Sequence, residues 1–156
     1  MKADRRAVVD TNVLISAALS AGSAPAQVLR HLLAQGRLVF CEETFAELET
    51  RLWRPKFDRY LSLERRRQLL HDLRAASEWV TLLSAPLPTY SRDPDDDKLI
   101  HLALAARVDR LISGETACEF ALCFRERRAV RVRPMPGSGQ ARWELLQPWP
   151  LSLARR

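Results

Sequence analysis

The stretch Ala7-Val8-Val9-Asp10-Thr11-Asn12-Val13-Leu14-Ile15 decides how the chain is read. Three apolar residues in a row, without polar alternation, are what a strand shows when helices cover both faces of its sheet. An acid closes the run, two more polar residues follow, and Val13 to Leu19 is apolar again and opens a helix. Strand, polar turn and helix within so few residues is the start of an α/β unit. The same cycle repeats downstream. A helix is expected over Ala26 to Gln35, with Pro25 in its first turn and Gly36 as its stop. Leu38-Val39-Phe40-Cys41 reads as a second strand, and Glu42 to Trp53 as a helix with Phe45, Leu48 and Leu52 at helical spacing. Leu63 to Trp79 is expected to be helical, with Leu69, Leu70, Leu73 and Ala76 on its apolar face, and Val80 to Leu83 to be a strand. A loop with Pro86, Pro88 and Pro94 leads to a helix over Asp97 to Ala106, then to a strand at Leu111-Ile112. The alternation predicts an α/β fold with a central parallel sheet.

With 156 residues, 47% of them hydrophobic, the chain is sized for one core and is too apolar for disorder. A last strand is expected at Ala129 to Arg133, so residues 1–133 read as one domain and 134–156, rich in Pro and Gly at first, as a C-terminal extension. Twenty-five basic residues against nineteen acidic give +6, and 22 of the 25 are Arg, whose planar fork suits phosphate. Cys41, Cys118 and Cys123 are odd in number and form no CxxC pair, which speaks against a disulfide framework and for a reducing compartment. Residues 11–29 carry no charge, yet Thr11, Asn12, Ser16, Ser20, Gly22, Ser23, Pro25 and Gln27 make a poor spanning segment. Asp4 and Asp10 flank the apolar stretch and oppose an export signal. The expectation is a soluble cytoplasmic protein without a membrane segment.

Carboxylates recur beside strand ends and helix starts. Asp10 closes the first strand, Glu47 lies in the helix after the second, Asp93, Asp95, Asp96 and Asp97 cluster before the next helix, and Glu115 follows the strand ending at Ile112. In open α/β sheets the loops at the carboxyl ends of the strands gather ligand-binding residues. Carboxylates brought together repel unless a cation joins them, and hard divalent ions prefer oxygen donors. The economical reading is a Mg²⁺ or Mn²⁺ site built from acids. Each acid also has a plainer use: Asp10 suits a helix N-cap, Glu47 pairs with Arg51 four residues on, and the Asp run suits a helix entry. No G-x-G-x-x-G, Walker loop, H-E-x-x-H or G-x-S-x-G is present, and the EF-hand-like start at Asp93 fails at Lys98 and Leu104.

Taken in order, Val8-Val9-Asp10-Thr11-Asn12-Val13-Leu14-Ile15-Ser16-Ala17, Phe45-Ala46-Glu47-Leu48 with Arg54-Pro55-Lys56-Phe57, Arg92-Asp93-Pro94-Asp95-Asp96-Asp97-Lys98 and Leu111-Ile112-Ser113-Gly114 resemble a PIN domain, most of all the branch of toxins from bacterial toxin–antitoxin systems. The resemblance implies a three-layer α/β/α sandwich with a central parallel sheet and a Mg²⁺- or Mn²⁺-dependent ribonuclease. An RNA substrate, a small antitoxin partner and a homodimer are implied with it. Position by position, Asp10, Glu47 and Asp97 match the metal-site acids, Asn12 the polar residue that supports the first, and Ser113 a small hydroxyl residue. Where the family commonly reads Gly-Asp-x-Asp-Leu, this chain has Gly114-Glu115-Thr116-Ala117-Cys118, so Glu115 is the nearest fourth metal acid and Ala117 supplies none. Candidate phosphate contacts are Arg51, Arg54 and Arg92. A degenerate domain that binds RNA or protein without cutting is the alternative.

Overall fold

The computed structural model describes residues 5–83, 94–108 and 110–113 and, further along, strands at 120–123, 128–134 and 141–148. Strand β1 (Arg5–Val9) is followed by helices α1 (Thr11–Leu19) and α2 (Ala24–Gln35). Then come β2 (Gly36–Phe40), α3 (Glu42–Leu52), α4 (Leu63–Ala76), the short strand β3 (Glu78–Trp79), α5 (Pro94–Ala105) and β4 (Arg110–Ser113). The strands β1 to β4 pair in parallel in the order β3-β2-β1-β4. Strands β5 (Phe120–Cys123), β6 (Arg128–Pro134) and β7 (Ala141–Pro148) continue the sheet beyond β4, antiparallel.

Both faces of the parallel strands are buried, and the period of two separates them. Ala7 and Val9 of β1, Leu38 and Phe40 of β2 and Ile112 of β4 face a core filled by Leu14, Leu32, Leu48, Leu52, Leu70 and Leu73 from α1 to α4. Val8, Val39 and Leu111 point the other way and meet Leu99, Leu102 and Ala103 of α5. This is why the strands show unbroken apolar runs, and it makes the three layers. The α2–β2 junction is tight: Gly36 pairs with Arg5, and a Cβ on Gly36 would lie 1.7 Å from the Arg5 carbonyl oxygen. Helix α5 ends with Arg107 in the left-handed region at φ 50°, its N–H donating to the Leu104 carbonyl while that of Val108 donates to Ala103. That pair of bonds is a Schellman closure, normally built on glycine.

The elements differ from the sequence expectation around α4, β3 and the start of α5, and β5 is a strand the sequence pattern does not announce. Helix α4 stops at Ala76, the residues expected to prolong it, Glu78 and Trp79, form β3, and Val80 to Leu83, expected to be the strand, lies beyond it without strand structure. The cause is Trp79, which stacks on Phe40 and Phe45 while its indole N–H caps α4 by donating to the Arg74 carbonyl at 3.1 Å. The apolar face of α4 includes Arg66 and leaves Ala76 exposed. Arg66 is only 1% exposed, paired with Asp58 at 2.8 Å and seated over Trp53, so the 3₁₀ turn Pro55–Phe57 is fastened to α4. Helix α5 begins at Pro94 and not at Asp97, because Pro is preset for the first helical turn. No single helix among the described residues is long and apolar enough to cross a membrane.

Candidate functional site

The strand order places a topological switch point between β1 and β4, since the chain leaves β1 toward β2 on one side and returns as β4 on the other. Crevices of this kind lie outside the carboxyl ends of strands and hold ligands. Asp10 is the residue that falls there. Its backbone N–H donates to the Ile112 carbonyl at 2.7 Å, which ties the end of β1 to the end of β4. Its carboxylate caps α1 by accepting the Asn12 N–H at 3.1 Å, and its carbonyl accepts from Leu14 at 3.1 Å. The side chain is thus fixed by its own helix, close to solvent yet only 8% exposed. The positive end of α1 favours its charge.

Glu47 arrives from α3. Its neighbours Phe45 and Leu48 are buried against the sheet, which leaves Glu47 on the flank of the helix, its side chain 17% exposed. Burial pushes its carboxyl above the ordinary glutamate range; the Arg51 guanidinium opposes the shift, and the charges of Asp95 and Asp10 reinforce it. Asp95 shares the Arg51 guanidinium with Glu47, the two carboxylates standing 2.9 and 2.7 Å from the same nitrogen. Asp95 comes from the first turn of α5, four residues before buried Leu99, and its side chain stays 44% exposed between Arg51 and Lys98. Its carboxyl is held below the ordinary aspartate range, chiefly by the hydrogen bond from Lys98 at 3.0 Å and further by Arg51.

Arg51 joins the pieces. Its Nη1 donates to Asn12 Oδ1 at 3.1 Å, and its Nη2 meets Glu47 Oε1 at 2.7 Å and Asp95 Oδ2 at 2.9 Å. One guanidinium thereby links α1, α3 and α5. The expected residues Asp10, Asn12 and Glu47 are brought together. Asp97 stands half-buried in the same turn of α5, two residues beyond Asp95. Ser113 ends β4, the strand paired with β1 beside Asp10. Arg92, Asp93, Glu115 and Ala117 lie outside the described residues, as do the side chains of Asp96 and Ser113.

Asp95 and Arg51 hold larger parts than their sequence signals suggest. The Glu47–Arg51 spacing looks like an ordinary surface pair, and the other partners of Arg51 lie 39 and 44 residues away along the chain. The donor set is all oxygen and anionic, which is the chemistry a hard divalent ion takes. Among the described residues, however, no three acids already stand at a common ligand distance.

Residues 6–117 match the family described as PIN domain, and no curated protein and no solved structure matches the chain. The match covers more than half of the sequence and includes Asp10, Asn12, Glu47, Asp95, Asp97 and Glu115, in a fold where Asp10 directly follows β1 and Glu47 lies in the helix after β2. The chain belongs to the PIN domain family, whose members are generally nucleases.

Proposed function

We propose that this PIN domain is a Mg²⁺- or Mn²⁺-dependent endoribonuclease and acts as the toxin of a toxin–antitoxin pair in the cytoplasm. What supports the nuclease reading is that Arg51 ties Glu47 of α3 and Asp95 of α5 to Asn12, two residues from Asp10 at the β1–β4 switch point. Asp10 and Glu47, with Asp97 and Glu115 as the resemblance assigns them, are the residues that would hold the ion. A bound divalent ion would lower the pKa of a coordinated water and offset charge developing on the phosphate.

The chain's own residues supply the rest. Asp10 is held in place by its cap on α1, so its carboxylate takes up its position without a large conformational cost. Glu47 is partly desolvated, and a hard cation beside it would offset the cost of its buried charge. Asn12 sits at the start of α1, where its amide orients a ligand or a water, and Ser113 would add a hydroxyl at the end of β4. Arg51 and Lys98 border the acids, and with Arg54 and Arg92 they would grip RNA phosphates. No histidine acid–base pair is needed.

The toxin assignment, with its small antitoxin and a homodimer, rests on the resemblance to that branch. The test is cleavage of single-stranded RNA by the purified chain with Mn²⁺. Cleavage that disappears in Asp10→Asn and Glu47→Gln supports the nuclease. RNA binding without cleavage by the wild-type chain would leave a non-cutting binding module. Rescue of growth by a short open reading frame adjoining the gene would support the toxin.

A further inference from the structure

We propose that Arg51 is a resident counter-cation of the acid cluster, which a divalent ion must displace before the carboxylates can close on it. The inference rests on the metal-nuclease reading and adds a control step to it. A single nitrogen, Nη2, contacts carboxylates from two different helices, Glu47 Oε1 at 2.7 Å and Asp95 Oδ2 at 2.9 Å, while Nη1 holds Asn12 at 3.1 Å. The remaining oxygen of Asp95, Oδ1, is taken by Lys98 Nζ at 3.0 Å. Both Asp95 oxygens are therefore committed to cations of the chain itself. Guanidinium groups only donate, so every lone pair given to Arg51 is withheld from a metal.

The side chain can leave. Arg51 lies in the last turn of α3, is 23% exposed, and is anchored by polar contacts at its tip. A swing of the guanidinium toward solvent frees the oxygens of Glu47 and Asp95 and aims a fork of donors at whatever phosphate approaches. The same group would thus protect the acids from mutual repulsion in the ion-free chain and grip substrate in the loaded one. An opposite role is physically distinct: were Arg51 there to set the acids in place for the ion, its removal would weaken metal binding. Competition and like-charge repulsion both predict tighter binding on removal.

The experiment is titration of the full chain with Mn²⁺ in the absence of RNA, followed by the loss of the free-ion electron paramagnetic resonance signal, for wild type, Arg51→Met and Arg51→Lys. Thermal melts of each variant confirm folding. We expect Arg51→Met to bind Mn²⁺ on the order of ten-fold more tightly, the effect of removing one positive charge beside a divalent ion at solvent-like dielectric. Arg51→Lys, which keeps the charge and loses the fork, falls between the two. RNA affinity should drop in Arg51→Met despite the tighter ion. Saturable binding by the wild type with equal or weaker binding by Arg51→Met overturns the counter-cation role and leaves the metal reading standing. Absence of saturable Mn²⁺ binding in all three overturns both.

Discussion

Asp10 has two separable duties, and two substitutions divide them. As N-cap it accepts the Asn12 N–H, and as a nearly buried carboxylate it offers charge to the crevice. Asp10→Ala removes both. Losing the cap costs about 1 kcal/mol, and the exposed helix end in a mostly buried spot brings the total to about 1–2 kcal/mol. For a chain of this size that lowers the melting temperature by about 2–4 °C per kcal/mol. Asp10→Asn keeps an oxygen for the cap, since Asn and Asp are near equals there. It forfeits about 0.3–1 kcal/mol of interaction with the helix dipole, while relieving the repulsion that Asp10 exerts on Glu47. Its net change without metal should stay within about 0.5 kcal/mol. With Mn²⁺ at a hundredfold excess over its dissociation constant, the wild type should gain about 2.7 kcal/mol, and both variants should gain little. Thermal melts with and without Mn²⁺ read all six values. Equal gain from Mn²⁺ in wild type and Asp10→Asn would refute the metal role, and a loss in Asp10→Asn as large as in Asp10→Ala would refute the cap argument.

The raised Glu47 fixes a sign for pH dependence. Its folded pKa lies above its unfolded value, so its contribution to the stability of the ion-free chain is complete below the unfolded value and is lost as pH rises through the folded one. Glu47→Gln should therefore stabilise the ion-free chain near neutral pH and abolish Mn²⁺ binding, as melts and titrations will show; destabilisation near neutral pH would contradict the desolvation argument. Wild-type Mn²⁺ affinity should begin to fall, on acidification, above the ordinary glutamate range. Arg107→Gly should stabilise the fold by about 1 kcal/mol in a denaturant titration, because a left-handed backbone costs an L-residue about 1–2 kcal/mol and glycine almost none. Gly36→Ala should lower the melting temperature sharply, since its Cβ would enter the Arg5 carbonyl and part β1 from β2.

Much of the fold was legible because both faces of the sheet are covered. Ala7-Val8-Val9 and Leu38-Val39-Phe40 are unbroken apolar runs, and the helices between them carry caps and stops in the right places. What the pattern could not show came from contacts distant in sequence. Trp79 reads as the end of a helix until Phe40 and Phe45 claim it. Arg66 interrupts an apolar stripe and is buried nonetheless, because Asp58 and Trp53 receive it. The antiparallel continuation through β5 and β7 follows weakly periodic sequence. In the site, Asp10, Asn12 and Glu47 were legible from strand ends and from the resemblance. The bridging of Arg51 was not, since only folding brings α5 to α3. Nor does a run of three consecutive acids reveal that Asp95 meets Arg51 and Lys98.

The proposed nuclease stands or falls on whether acids from distant parts of the chain hold one ion in the crevice beside β1 and β4. Anomalous diffraction from crystals grown with Mn²⁺ decides this. One strong manganese peak is expected, bounded by the Asp10 and Glu47 carboxylates and the first turn of α5, with the Arg51 guanidinium withdrawn from it. Manganese bound only elsewhere, with Arg51 still bridging Glu47 and Asp95, would contradict the proposal.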